Sequence, residues 1–307
     1  MTAAAAWTPH GFTDYDRFYP ATPGIACGAL GDASASFIAA WDALEALRDR
    51  GPRIEAGVTF IFVRGLFGRW IPGHFAAPLR VLREAGCHAF IARSRAAGTI
   101  AGNARMLAAV IRRRAPGPGR LFFLCHSKGG LDLLDALRQA PDLRRRAAAV
   151  VLCQSPRDGC AVLESVLLRD HRDSLHASSQ RASEAAARLA LSMSGSRPGC
   201  LELTGAALAV HIHELDRVAG SLPTLAVASW SVEPSAWLDS QHTRLGAIRP
   251  RCAHDGLFFL EDLVWPTARA VLLPRIDHSQ PCVGGLGFPH ARFWHALATV
   301  AVAEARH

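Results

Sequence analysis

Apolar and polar positions along the chain alternate between two rhythms. Short, nearly continuous apolar runs occur at Val58–Val63, His88–Ala92, Leu121–Cys125, Ala147–Cys153, Thr224–Trp230 and Arg269–Leu273. A strand covered on both faces reads this way, because neither set of alternating side chains meets water. Between these runs the apolar positions repeat with helical spacing, as at Phe37, Ile38, Trp41, Leu44 and Leu47. The pattern predicts helices over 34–50, 74–85, 100–114, 128–139 and 288–305, punctuated by Gly86, Pro116-Gly117 and similar breakers. Strands alternating with helices at this pitch imply a mostly parallel central sheet flanked by helices, with right-handed crossovers.

The rhythm lapses after Ser155-Pro156. Residues 157–220 read as helical pieces, Val162–Arg169, Ser179–Met193 and Leu201–Val218, joined by polar and Gly/Pro segments. We therefore expect one domain over 1–307, with a helical cap or lid inserted at about 157–220, over the carboxyl edge of the sheet. The first thirty residues have no period and are expected to wrap the domain as an irregular arm.

Composition narrows the function only by exclusion. Half the residues are apolar and 20% are charged, the balance of a chain with a sizeable core. The net charge is +8, but the arginines are scattered and no nucleic-acid-binding motif accompanies them, so no nucleic-acid partner is expected. No apolar run approaches the roughly 20 residues that span a bilayer. The N-terminus has no basic segment leading into an apolar one, so a cytoplasmic location is the expectation. The eight cysteines form no C-x-x-C pair, and those in apolar runs, such as Cys125 and Cys153, are expected to act as small hydrophobes. No cofactor and no metal is expected: His211, His213, Glu214 and Asp216 sit at spacings that scatter over a helix surface. The 34 basic residues include one lysine, Lys128.

That lysine follows Ser127 in L-F-F-L-C-H-S-K-G-G (121–130). A serine hydroxyl becomes a useful nucleophile only beside a base and a site that holds the developing oxyanion. A sharp turn between an apolar strand and a helix supplies both, and it needs small flanking residues. Ser127 is the candidate nucleophile, with Gly129 and Gly130 on the helix side and the Lys128 N–H aimed at the oxyanion. Cys125 stands where the G-x-S-x-G pattern has its first glycine. The second oxyanion donor is expected in the loop after the first strand, R-G-L-F-G (64–68), from Leu66 or Phe67. Gly65, Phe67 and His126 are candidate substrate-contacting residues. Arg64 is read either as a structural salt bridge or as a partner for a substrate carboxylate.

The base should follow the last strand, and the acid should precede it. His278 in P-R-I-D-H (274–278) is the candidate base and Asp255, in H-D-G-L (254–257), the candidate acid; Asp239, Glu261 and Asp262 are rivals. Asp277 is adjacent to His278, and successive side chains diverge.

Together, V-R-G-L-F-G (63–68), C-H-S-K-G-G (125–130), Q-S-P-R-D-G (154–159), D-G-L (255–257) and D-H-S-Q-P (277–281) resemble bacterial triacylglycerol-lipase-like α/β hydrolases over about residues 57–285. The resemblance implies the α/β-hydrolase fold and a serine carboxylic-ester hydrolase. Ser127 would be its nucleophile, His278 its base and Asp255 its acid, with backbone N–H groups of Lys128 and Leu66 as the oxyanion hole. The expected substrate is a small-molecule or polymeric ester, either one with a hydrophobic acyl group, which the apolar cap helices favour, or an intracellular polyester. An acyltransferase of the same fold and a non-catalytic binding protein are the alternatives.

Overall fold

A computed structural model describes residues 7–10, 15–28, 30–47, 58–168, 178–232 and 239–306. Six strands, β1 (Thr59–Val63), β2 (His88–Ala92), β3 (Leu121–His126), β4 (Ala147–Cys153), β5 (Thr224–Ser229) and β6 (Arg269–Leu273), form one sheet. Its order is β2-β1-β3-β4-β5-β6, and every pairing is parallel.

Both faces of the sheet are covered, which is why the strands read as continuous apolar runs. Ile61, Val63, Phe123 and Cys125 face one core cluster, closed by the helices Ile100–Arg114 and Lys128–Gln139. Phe60, Phe62, Phe122 and Leu124 face the other, beneath the helices Ser34–Ala46, Ala76–Glu84 and His290–Glu304. Phe75 packs between Phe62 and Trp294 there, with ring centroids 4.9 Å and 5.2 Å away.

The six strands lie where the apolar runs predict them, and the helices differ in instructive ways. Residues 48–50 of the first expected helix fall outside the described residues. The helix expected from His74 begins only at Ala76, because Phe75 adopts φ 65° and leaves His74 in the preceding loop. The expected helix Leu201–Val218 is three short ones, Arg197–Leu201, Gly205–Ala209 and Ile212–Ala219, broken around Thr204-Gly205 and His211. Pro141 starts a further helix, Pro141–Arg146, that the apolar pattern did not predict; proline suits a first helical position, where its missing N–H has no partner to lose. The helix Asp239–Ile248 has no clear apolar period and was not expected. Among the described residues, no helix is long and apolar enough to cross a membrane.

Topology places the site. From β1 the chain moves outward to β2, then returns to the other side of β1 to form β3. The loops leaving the carboxyl ends of β1 and β3 thus diverge around a crevice, where open parallel sheets bind ligands. Val63 and Cys125 lie level in register, so Gly65 and Ser127 emerge side by side.

Candidate active site

Ser127 occupies φ 55°, ψ −137° between β3 and the helix Lys128–Gln139. Non-glycine residues avoid this region, and holding one there costs on the order of 1–3 kcal/mol. The turn is over-determined by its surroundings. The Ser127 N–H donates to the Cys153 carbonyl at 2.9 Å, and the Ser127 carbonyl accepts from Gly130 at 3.0 Å. A Cβ on Gly129 would lie 2.7 Å from the carbonyl oxygens of both Val63 and Arg64, so the helix start presses against the end of β1. Cys125 can replace the first glycine of the pattern because its side chain points into the core under that helix. A Cβ on Gly65 would come 2.7 Å from Ser127 Cβ and 3.3 Å from its Oγ.

His278 Nδ1 and Asp255 Oδ2 are 2.8 Å apart, with Asp255 fully buried. Asp255 Oδ1 accepts the N–H groups of Leu257 and Phe258, both at 2.8 Å, and the His278 N–H donates to the Asp255 carbonyl. The carboxylate is thereby fixed in position, and His278 is oriented by it. Glu261 instead pairs with Arg249, Asp262 also lies nearest Arg249, and the side chain of Asp239 is outside the described residues. Asp277 turns away from His278 and accepts from Ser279 and Gln280. Neither Ser127 Oγ nor His278 Nε2 hydrogen-bonds to any described residue, including each other; such contacts often close only when substrate binds.

The structure corrects the expectation that His126 contacts substrate. It is 4% exposed, and both ring nitrogens are engaged. Nε2 lies 3.0 Å from Gln154 Oε1 and 3.0 Å from the His278 carbonyl, while Nδ1 lies 3.1 Å from Cys282 Sγ. Burial drives the imidazole well below its ordinary pKa and the Cys282 thiol well above its own, so the thiol donates to Nδ1 and Nε2–H donates to the oxygens. Gln154, held at φ 48°, completes the brace by donating to Ser229 Oγ at 2.7 Å and to the Asp277 carbonyl at 3.1 Å. His126 and Gln154 thus tie the ends of β3, β4 and β5 to the loop carrying His278. The sequence motif beginning at Gln154 flagged the position without revealing this contact.

His74, His126 and Cys282 bring three possible metal-ligand atoms within 4.8 Å of one another. Arg64 sits close enough to disfavour a positive charge on His74, and the same cation opposes a bound dication. His74 is 2% exposed, with no hydrogen bond closing on either ring nitrogen. Burial and Arg64 hold its pKa down to about 3, against a slight opposing influence from the Gly68 backbone. A histidine whose folded pKa is depressed stabilises the fold fully above the unfolded value, near 6.5, and progressively less as pH falls. Replacing His74 by leucine should therefore flatten the acid side of the stability profile. Relative to pH 8, wild type should lose about 2 kcal/mol more than the variant at about pH 5. The comparison of urea midpoints isolates His74, since Asp132 and Asp262, raised to about 6 and about 7 by burial, act oppositely in both proteins.

Lys128 is 1% exposed and donates through Nζ to Asp132 Oδ1 at 2.5 Å. Asp132 Oδ2 accepts from Asn103 at 2.7 Å, and Asn103 in turn brackets the Arg95 backbone. This buried chain ties the helix after Ser127 to the loop after β2.

The candidate oxyanion donors now separate. The Phe67 N–H is spent on the Ala96 carbonyl at 2.6 Å, and the Gly68 N–H on Gly65. The N–H groups of Leu66 and Lys128 have no acceptor among the described residues. Phe67, at φ 58°, stacks on Trp70 with centroids 5.4 Å apart. Arg64 forms no ion pair among the described residues: one guanidinium nitrogen donates to the His74 carbonyl at 3.0 Å, and Nε has no partner. His211, His213, Glu214 and Asp216 do not converge; Glu214 pairs with Arg138 and Asp216 with Arg157.

No protein-family model matches the chain, and no curated protein matches it. Solved structures do. A metagenomic carboxyl esterase superposes with a TM-score of 0.66 at 22% identity, over 82% of this chain and 77% of that one. A Bacillus licheniformis lipase in its mature form superposes with a TM-score of 0.57 at 16% identity, over 82% of this chain and 92% of that one. The chain has the α/β-hydrolase fold.

Proposed function

We propose that this α/β-hydrolase-fold chain is a serine carboxylic-ester hydrolase acting through an acyl-enzyme. The observation that carries the reading is the Asp255–His278 hydrogen bond at 2.8 Å, set at the same sheet edge as a serine held in a strained strand-to-helix turn. Ser127 Oγ attacks the ester carbonyl while His278 Nε2 takes its proton. Asp255 holds the Nδ1–H tautomer and stabilises the imidazolium. The oxyanion is received by the free N–H groups of Lys128 and Leu66. The C–O bond to the alcohol then breaks, with His278 returning the proton to the leaving oxygen. Water, activated by the same histidine, releases the acid and restores Ser127.

The helices between β4 and β5 serve as a cap in this reading. Leu208, Ile212, Leu215 and Val218 join the core rather than lining an acyl pocket. Leu189, Met193 and Val210 point outward. Packing therefore accounts for much of the apolar content that suggested a hydrophobic acyl site.

A fluorophosphonate probe tests the proposal. Wild type should become covalently labelled in proportion to its ester-cleaving activity, and Ser127→Ala should not be labelled at all. Equal labelling of the two proteins, or of neither, refutes it.

A further inference from the structure

Two cavities adjoin the loop after β1. One, of ≈ 200 Å³, is lined by Arg64, Gly65, Arg69, Arg93, Ser94 and their neighbours. The other, of ≈ 450 Å³, shares Arg69 and Ala96 with it and adds Trp70 and Arg95. Gly65 links the first cavity to Ser127, since a Cβ on it would come 2.7 Å from the Ser127 Cβ. Arg64, Arg69 and Arg93 thus line the cavity beside Gly65, Arg69 and Arg95 line the adjoining one, and no aspartate or glutamate lines either. None of the four forms an ion pair among the described residues. Elsewhere some arginines meet carboxylates, as Arg112 meets Asp142, Arg157 meets Asp216 and Arg269 meets Glu304, while others such as Arg83 and Arg120 donate to backbone carbonyls.

Clustered like charges raise the free energy of the empty site, and an anion relieves that cost. Arg93 and Arg69 both disfavour the charge on Arg64, after its partial burial, so the cations lie within electrostatic reach of one another. Guanidinium groups pair with carboxylate and phosphate oxygens through charge-assisted, often bidentate hydrogen bonds. A cleft lined by one sign of charge also concentrates oppositely charged ligands.

We infer that the ester taken by this site carries an anionic group, carboxylate or phosphate, which Arg64, Arg69, Arg93 and Arg95 hold while the ester carbonyl lies at Ser127. The inference rests on the ester-hydrolase reading for the ester, though not for the anion. Trp70, 58% exposed and lining the larger cavity, offers an apolar wall for the chain between the two groups.

The test compares 4-nitrophenyl hydrogen adipate with 4-nitrophenyl hexanoate, matched in length, and adds 4-nitrophenyl 6-phosphonohexanoate and 4-(butyryloxy)benzoate against phenyl butyrate. These arms separate carboxylate from phosphate, and an anion on the acid from one on the alcohol. At low salt at least one anionic ester should exceed its neutral partner in kcat/KM by about tenfold or more, and about 1 M NaCl should erase most of that ratio. The double variant Arg69→Gln/Arg93→Gln should lower the ratio about tenfold. No anionic preference in any arm, or a ratio the arginine variant leaves unmoved, overturns the inference.

Calorimetry with Ser127→Ala measures the anion site without catalysis. Adipate or phenylphosphate should bind where hexanamide does not, and more weakly to the protein also carrying the arginine substitutions. Anion binding without ester cleavage would sink the hydrolase reading alone. Cleavage without anion preference or binding would sink the anion site alone.

Discussion

Ser127→Ala is expected to lower kcat on a reactive ester by at least ~10⁴-fold while changing KM little, because in the proposed mechanism the oxygen removed forms the covalent bond and contributes little to ground-state binding. The residual rate should stay above that in water, since on the proposed reading the N–H groups of Lys128 and Leu66 would still receive an oxyanion. A second substitution separates chemistry from strain. Ser127 sits at φ 55°, where glycine is unstrained and serine is not. Ser127→Gly should be equally inactive yet stabilise the fold by about 1 kcal/mol, the relief of strain exceeding the entropy of an added glycine. Single-turnover assays and urea unfolding read the two effects independently. Retention of more than about a hundredth of the wild-type kcat in either variant would remove Ser127 from the chemistry.

Lys128→Met should destabilise the protein by about 3–5 kcal/mol at pH 8, the cost of leaving a buried carboxylate without its cation. Asn103 would remain as a partner of Asp132, but an amide supplies no charge. Asp132 already has its pKa raised to about 6 by burial, even with Lys128 beside it. Removing the lysine should raise it further, so the penalty should shrink as pH falls and Asp132 takes a proton. Adding Asp132→Leu should recover much of the loss, because replacing a buried ion pair by apolar side chains is often neutral or stabilising. Lys128→Arg is the informative control. If charge alone mattered, the variant would behave as wild type. We expect it to be destabilised instead, because a planar guanidinium is larger than an ammonium and this position is 1% exposed. Midpoints of urea unfolding at pH 5 and pH 8 decide between these outcomes. They also account for the single lysine in a chain that otherwise uses arginine.

Much of the architecture was legible because its causes are local. Each strand of a doubly covered parallel sheet is apolar at nearly every position, so all six could be marked from their apolar runs. The strand-turn-helix letters around Ser127 were legible for a similar reason: a turn so sharp tolerates few side chains. Asp255 and His278 were named from chain order in the resembled fold, and contacts then set Asp255 apart from its rivals Glu261 and Asp262. Glu261 and Asp262 lie by Arg249, a contact no spacing rule encodes. His126 was expected to contact substrate. Alternation along β3 carries a residue at that place inward, and only the assembled loops supply Gln154, Cys282 and the His278 carbonyl around it.

The chain by itself determined the sheet, the helices that cover it and the strained turn at Ser127, since these follow from periodicity and backbone sterics within a few residues. Tertiary structure decided which groups answer one another across the carboxyl ends of the strands. It joined Asp255 to His278, buried Lys128 against Asp132, spent the Phe67 N–H while leaving that of Leu66 free, and gathered Arg64, Arg69, Arg93 and Arg95 with no acid among them. Hydrogen bonds and charges act between groups a few ångströms apart, and the crossovers of a parallel sheet bring such groups together from far along the chain.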